Sequence, residues 1–457
     1  MHLTDLRNRR VVVWGTGREA AAAVNAIAPI PPADLVAVED RQTAFAQPKE
    51  WTPAVAALAP LRTGPEAYQA VLAADVLVRS PVIPQTHPWI IEARRRGVAI
   101  TGGTALWMAD HADRAIAITG SKGKSTTTTL VHHLLTAVGR PNVLGGNIGV
   151  AALSLPEADL YVVELSVYQC ADLDDSPRVA AVTSLYPEHL DWSGSEENYY
   201  RDKLCLLAHQ PGRVVVNAHD ERVTARLAAF GPELPVLATG RPDSFHVADG
   251  PDGQPWVMAG TEALFPRTRL RLVGRHNEAN LCIALGVLSA AGVDCVATRD
   301  ILSDALDTFQ GLSHRLEPIA DPSGITFVDD SISTIPQSTI HAIEAYAQMP
   351  LTILVGGEDR GVDYAPLHDF LAERQIVATV IGLPDSGPRI VAALKDIPTL
   401  TMLTADDLPS AVRLARSVTP AGGAVLLSPA APSYGRYDNF EHRSRVFRQA
   451  IEDTAAG

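Results

Sequence analysis

The chain has 457 residues, a length that suggests about three domains, and 46% of them are apolar against 20% charged, a balance that supports packed cores and excludes a disordered chain. A formal net charge of −14 argues against nucleic acid and against an anionic membrane surface as partners. No apolar run reaches transmembrane length, the start Met1-His2-Leu3-Thr4-Asp5-Leu6 lacks the apolar core of a signal peptide, and the four cysteines show no metal-type spacing, so the expected setting is a reducing cytoplasm with buried free thiols.

Residues 11–14 read as a buried strand that turns at Gly15-Thr16-Gly17 into a helix over about 19–27. A second strand at 35–38 ends at Glu39-Asp40. This is half of a dinucleotide-binding pattern, although Ala20 stands where the third glycine belongs. NAD is one possible occupant of that turn, and the diphosphate of another nucleotide is equally compatible. Further strands are expected at 76–78, ending at Ser80-Pro81, and at 98–100, ending at Thr101-Gly102-Gly103. The stretch 110–114 reads as a boundary, which makes the first domain 1–112.

The apolar run 115–118 leads into Thr119-Gly120-Ser121-Lys122-Gly123-Lys124-Ser125-Thr126 and a helix over 127–135. Glycines let backbone N–H groups face an anion, and the helix N-terminus adds partial positive charge. Lys124 can reach the outer phosphates, and Ser125 or Thr126 can hold Mg²⁺. Only Ser121 and Lys122 separate Gly120 from Gly123, which departs from the generic GTPase or motor loop. An ATP-using enzyme is expected; a Gly/Lys-rich surface turn is the plainer alternative.

Strands at 161–164, 179–185 and 213–217 continue this segment, and 239–269 reads as a small β-rich excursion. Glu164 ends its strand, where a carboxylate suits Mg²⁺ or stays a solvated acid. His189, in Pro187-Glu188-His189-Leu190-Asp191, could ligate or orient a second cation, or be structural. Lys203 is ordinarily a solvated cation, yet crowding by other cations would lower its pKa. Asn277 and Asn280 share a helix face and could read an adenine edge or cap the helix. The second domain closes at 313.

The third segment, 314–457, has strands at 326–328, 351–355, 377–381 and 424–427. Arg315 sits at its entrance, where an arginine can clamp a phosphate on closure. Asp329-Asp330-Ser331 ends one strand, and Ser428-Pro429 and Ser433 follow the last, where open α/β sheets bind ligands.

In this order, the loop 119–126, Gly146-Asn147-Ile148-Gly149, Glu164 to Gln169, Pro187 to Asp191, Lys203, His276 to Asn280, His314 to Glu317 and Asp330-Ser331 resemble the Mur ligases, the ATP-dependent amide-forming enzymes of peptidoglycan precursor synthesis. The resemblance runs end to end and is strongest to the glutamate-adding type. It implies three α/β domains: Rossmann-like and UDP-binding (1–112), phosphate-loop ATPase with a mostly parallel sheet (113–313), and Rossmann-like and glutamate-binding (314–457). Residue by residue, it implies that Gly15, Thr16, Gly17, Arg18, Glu39 and Ser80 face the UDP substrate. Gly120 to Thr126 hold the ATP phosphates, with Asn277 and Asn280 near adenine, Arg315 near the phosphates and Asp330 near the ribose. Two Mg²⁺ sites follow, one on Ser125 and Glu164, the other on His189 and a carbamylated Lys203. Asn147 lies at the transferred phosphate. Ser331, Thr334, Arg360, Ser433 and Phe440 fall where the family grips glutamate.

The implied reaction is a two-stage acyl transfer on UDP-N-acetylmuramoyl-L-alanine, through an acyl phosphate, by a monomer. The D-glutamate-adding pattern Ser-Lys-Ala-Thr-Asn is replaced here by Ser331-Ile332-Ser333-Thr334-Ile335, and Arg360 stands in place of another pocket lysine. An L-glutamate-adding branch shares the 330–334 run, the Gly-Thr-Ala-Leu-Trp run at 103–107 and Pro432-Ser433 before an aromatic. L-Glutamate is therefore the expected acceptor, with D-glutamate the alternative. A folate polyglutamate synthetase is the more distant alternative, and the dinucleotide-like domain before the phosphate loop argues against it. A non-catalytic nucleotide-binding regulator would have lost metal or phosphate residues, yet Lys124, Glu164, His189 and Lys203 are all present.

Overall fold

The valine-rich runs form the interiors of parallel sheets, which are covered on both faces and so need apolar residues at successive positions. The structure, a computed structural model, describes residues 1–40, 51–272, 274–309 and 311–455, without the side chain of Asp191. The chain divides into two compact units, residues 1–271 with 278–309, and residues 272–277 with 310–457.

The first unit opens with β1 (Arg10–Trp14), β2 (Asp34–Glu39), β3 (Leu61–Thr63), β4 (Val76–Arg79) and β5 (Ala99–Gly102). They form one parallel sheet of order β3-β2-β1-β4-β5. The order reverses at β1, with Val11 opposite Leu35 on one side and Val76 on the other. The C-terminal ends of β1 and β4 therefore flank a crevice of the kind that binds nucleotides.

A second parallel sheet contains β6 (Ala115–Thr119), β7 (Val143–Gly146), β8 (Tyr161–Glu164), β9 (Val179–Val182), β10 (Arg213–Asn217) and β11 (Val236–Thr239), in the order β11-β10-β9-β6-β8-β7. Here β6 is the switch strand, with β8 and β9 beside it. The phosphate-loop sequence, Glu164 and Thr183 consequently leave the same edge of the sheet. The β-rich excursion is the antiparallel sheet β12 (Phe245–Asp249), β13 (Pro255–Ala259) and β14 (Glu262–Pro266).

In the second unit, β15 (Glu317–Ala320) pairs antiparallel with β16 (Thr326–Asp329). The parallel strands β17 (Leu351–Val355), β18 (Ala378–Gly382), β19 (Leu400–Thr404) and β20 (Ala424–Leu427) complete the order β15-β16-β20-β17-β18-β19. The fold is α/β, as the sequence implies. One strand is shorter than expected: 179–185 stops at Val182, because Thr183 and Ser184 turn their hydroxyls onto the loop after β6. The edge strands β3, β7, β11, β15 and β19 escaped the sequence reading, and their mixed burial explains why, as in the half-exposed Leu-Thr-Met-Leu-Thr of β19.

Candidate functional site

Five fully buried residues of β6 deliver the chain to Gly120, whose φ of 145° lies outside the range of residues with a side chain. A Cβ there would also collide with Thr183 Oγ1. The loop beyond is seated by backbone and hydroxyl bonds: Ser121 N donates to Ser184 O at 2.8 Å, Lys122 N to Ser184 Oγ at 2.9 Å, and Thr183 Oγ1 to Lys122 O at 2.5 Å. Gly123 then caps the helix Lys124–Ala137, with the buried Asn280 amide against it. Asn277 is likewise buried on the helix Arg275–Ala290, and Ser125 is buried in the first turn of its own helix.

Two ammonium groups converge on one carbonyl. Lys124 Nζ donates to Gly120 O at 2.8 Å and to Ser121 O at 3.0 Å, and Lys203 Nζ donates to the same Gly120 O at 2.9 Å. Lys203 is 2% exposed, with the Tyr199 ring 4.9 Å from its nitrogen. Burial, then the neighbouring Lys124 charge, pushes its pKa down to about 7. Lys122 pairs with Glu188 at 2.7 Å. Burial alone would raise the Glu188 pKa, and the Lys122 and Lys124 charges outweigh it and hold the carboxyl low.

Glu164, 1% exposed at the end of β8, accepts from Asn147 Nδ2 at 2.7 Å on one oxygen. Its other oxygen, Oε2, is buried with no hydrogen-bond partner among the described residues. A buried carboxylate oxygen without a donor is costly, and a hard divalent cation is the group that suits it. His189 is exposed, with a left-handed φ of 53° and its ring 5.1 Å from that of Tyr168. Among the described residues, one His/Cys/Asp/Glu trio has donor atoms within 4.8 Å of one another, and it is His314, Glu317 and Asp329 rather than a group around Glu164 or His189. That trio already holds a cation in the Arg448 guanidinium, 2.7 Å from Glu317 and 3.4 Å from Asp329.

At the first sheet's crevice, Gly15 N donates to Val38 O and Ser80 N to Trp14 O, both at 2.9 Å. Thr16 Oγ1 donates to Glu39 Oε2 at 2.7 Å. Gly17 caps the helix Arg18–Ile27. Arg18, in the first turn of that helix, donates to the carbonyls of Gly149 and Asn147. Just below, Arg79 is buried against Asp172 at 2.8 Å and also donates to Pro81 O and Ile83 O.

In the second unit, buried Asp330 accepts from Ser428 Oγ at 2.7 Å and from Ser333 Oγ, and burial pushes its pKa up to about 6. Ser331 is fully buried, donates to Phe440 O at 3.1 Å and accepts from Arg443 Nε at 3.0 Å, so its hydroxyl ties the end of the strand β16 to the segment that opens the last helix. Arg443, also fully buried, spans Ser331 O and the carbonyls of Ala431 and Pro432. Ser433 is buried, Thr334 and Arg315 are half-buried, and the Phe440 ring lies edge-on to His314 at 5.7 Å. Arg360 is exposed, paired with Glu358 at 2.7 Å and 5.7 Å from the Tyr434 ring. A cavity of about 250 Å³ opens beside Ser433, lined by Gly357, Asp385, Tyr434 and Arg436 among others.

The sequence reading missed Thr183, Ser184, Glu188 and Tyr199. Tyr199 could have been found, since it sits one helical turn before Lys203, and its hydroxyl lies 2.8 Å from Ser121 Oγ. No helix among the described residues is long and apolar enough to cross a membrane.

A family model, the Mur ligase middle domain, matches residues 118–288. The chain is 61% identical over 455 residues to a UDP-N-acetylmuramoyl-L-alanine–L-glutamate ligase of a Micromonospora species, covering 100% of this chain and 99% of the relative. A protein of the same name from Xanthomonas campestris is 37% identical, with 98% and 96% covered. The fold resembles that of the UDP-N-acetylmuramate–alanine ligase of Thermotoga maritima, with a TM-score of 0.59 at 18% identity over 98% of this chain and 100% of that one. It also resembles a MurF ligase of Thermotoga maritima in complex with ADP, with a TM-score of 0.57 at 14% identity, covering 99% and 97%.

Proposed function

The chain belongs to the Mur ligase family, and on that premise we propose that it is the ATP-dependent ligase that joins L-glutamate to UDP-N-acetylmuramoyl-L-alanine in peptidoglycan precursor synthesis. The observation that carries this reading is the meeting of Lys124 and Lys203 on Gly120 O, beside a buried carboxylate oxygen of Glu164 that lacks a donor. The Lys124 ammonium seeks polyanionic phosphate, Lys203 is held beside it with its pKa lowered, and the lone oxygen of Glu164 seeks a metal.

The alanyl carboxylate attacks the γ-phosphorus of ATP; a P–O bond forms and the bond to the ADP oxygen breaks. The amine of glutamate then attacks the acyl carbon, loses its proton, and phosphate leaves from the tetrahedral adduct. Phosphorylation is needed because a carboxylate is a poor electrophile. The loop amides of residues 120–126 and Lys124 hold the phosphates in line and neutralise charge in a site shielded from water. Glu164 and Ser125 would hold one Mg²⁺, and His189 with a carbamylated Lys203 a second; bound there, Mg²⁺ supplies Lewis-acid neutralisation of phosphate charge. The lowered Lys203 pKa supports the carbamate, since only the neutral amine adds CO₂.

The UDP moiety takes the β1/β4 crevice with Gly15, Thr16, Gly17, Arg18, Glu39 and Ser80. Asn277, Asn280, Arg315 and Asp330 serve the nucleotide, and Ser331, Thr334, Arg360, Ser433 and Phe440 the glutamate. The working protein is a cytoplasmic monomer of three domains, 1–112, 113–313 and 314–457. Ile332 in place of a lysine, together with the relatives' names, favours L-glutamate. Phosphate release with ATP, Mg²⁺ and UDP-N-acetylmuramoyl-L-alanine, compared between the two glutamate isomers with the product mass checked, tests the reading. Turnover with L-glutamate alone is expected; turnover with D-glutamate alone overturns the isomer assignment, and none with either overturns the function.

A further inference from the structure

The first sheet's crevice and the carboxylate of Glu164 are joined by a short mechanical path. Arg18 occupies the first turn of the helix that follows Gly15-Thr16-Gly17. Its guanidinium donates to Gly149 O at 2.6 Å and to Asn147 O at 3.2 Å. Asn147 in turn holds Glu164 twice, by its backbone N to Glu164 O at 2.8 Å and by Nδ2 to Glu164 Oε1 at 2.7 Å. The loop between has little slack. Gly146 N closes it on Val150 O at 2.7 Å, and a Cβ at position 146 would run into the Glu164 carbonyl. A second tie, Gln169 Nε2 to Glu19 Oε1 at 3.1 Å, fixes the same helix N-terminus beside the segment that follows Glu164.

We propose that Arg18 is a positioning residue for the phosphate-transfer site: it sets the Asn147 loop, and through Asn147 the orientation of the Glu164 carboxylate. This rests on the function proposed above. A planar guanidinium suits the task because its fork reaches two carbonyls of one loop while further N–H groups remain for a substrate phosphate. Occupation of the UDP crevice and readiness of the metal-binding oxygen are thereby linked through one side chain.

The test uses full-length protein without UDP substrate, with Mg²⁺ and ADP as probes, by titration calorimetry. If Arg18 acts through Asn147, Arg18→Ala weakens Mg²⁺-dependent ADP binding on the order of 10-fold, the scale seen when a partner orienting a metal ligand is lost. Arg18→Lys, which keeps the charge without the fork, shows part of that loss, and the Arg18→Ala effect disappears in an Asn147→Ala background. In turnover, kcat falls along with any rise in KM for the UDP substrate. Unchanged ADP binding, with only KM for the UDP substrate raised, overturns the proposal and leaves Arg18 a plain substrate contact. If wild-type protein binds no ADP with Mg²⁺ and releases no phosphate, the functional reading falls and this inference with it.

Discussion

Replacing Arg79 by Met removes the charged half of a buried pair. The Arg79 and Asp172 side chains are 0% and 6% exposed. The guanidinium also donates to the carbonyls of Pro81, Ile83 and Tyr168, the Trp192 ring lies 5.5 Å away, and Gln85 adds one donor to Asp172 at 3.0 Å. Met fills similar volume, so the loss is electrostatic: a buried carboxylate is left with the Gln85 amide but no countercharge, and three carbonyls lose their Arg79 donor. Breaking one side of such a pair costs about 3–5 kcal/mol. At roughly 2 °C per kcal/mol for a unit of this size, the first calorimetric transition should fall by about 6–10 °C. Asp172→Leu added to Arg79→Met removes the stranded charge and should recover most of that loss. The pH dependence supplies a second check. Burial already raises the Asp172 pKa against the pull of Arg79, and without Arg79 it rises further. The folded form then keeps a proton that the unfolded chain releases, so the penalty is smallest in acid and grows as pH climbs to the folded pKa. A melting point within 1 °C (about 0.5 kcal/mol) of wild type, or a double variant no better than Arg79→Met, refutes the reasoning.

Lys124→Ala should abolish phosphate release while leaving the melting temperature near wild type, because Gly120 O, one of the two loop carbonyls its Nζ meets, keeps the Lys203 donor; normal turnover would remove the phosphate-loop assignment. Lys203→Ala should lose turnover and regain part of it with added formate or acetate, and full activity without rescue would dispose of the carbamate. Asp330 should make the second unit less stable as pH rises. Its pKa of about 6 exceeds the model-peptide value, so the folded state binds the extra proton, and stability falls from about pH 4 to pH 6 and is flat above. Relative to Asp330→Asn, that slope is worth on the order of 3 kcal/mol; parallel pH profiles for the two proteins would contradict it.

Local signals made much of the central site legible. Gly120 to Thr126 announce themselves because strand, glycine and helix are contiguous, and Glu164 because an acid ends an apolar run. The ties that hold the site were not legible, since their partners are far apart in sequence. Arg79 meets Asp172 across 93 residues, Arg18 meets the Asn147 carbonyl across 129, and Arg443 reaches Ser331 across 112. Nothing about an arginine in a strand or helix says which carbonyl it will find. Ser331 is a further case: its place after Asp330 says nothing of the Arg443 guanidinium that it meets. Edge strands such as β3, of three residues with an arginine at the centre, carry too little alternation to stand out.

The order of the second unit's sheet has a consequence for synthesis of the chain. β20 lies between β16 and β17, with Ala424 opposite both Thr326 and Leu351, although it is made last of the six strands. On the ribosome, β15 and β16 form a hairpin and β17 to β19 a separate parallel ribbon, and neither can join the other until residue 424 emerges. At about 5–20 residues per second, the roughly one hundred residues from β16 to β20 take on the order of 5–20 s. Throughout that interval Phe327 and Val328 sit on an open strand edge, the feature most prone to pairing with a stranger. A nascent chain halted before β20 is therefore left as two unfinished half-sheets, so translation speed over residues 330–424 bears directly on the yield of folded protein.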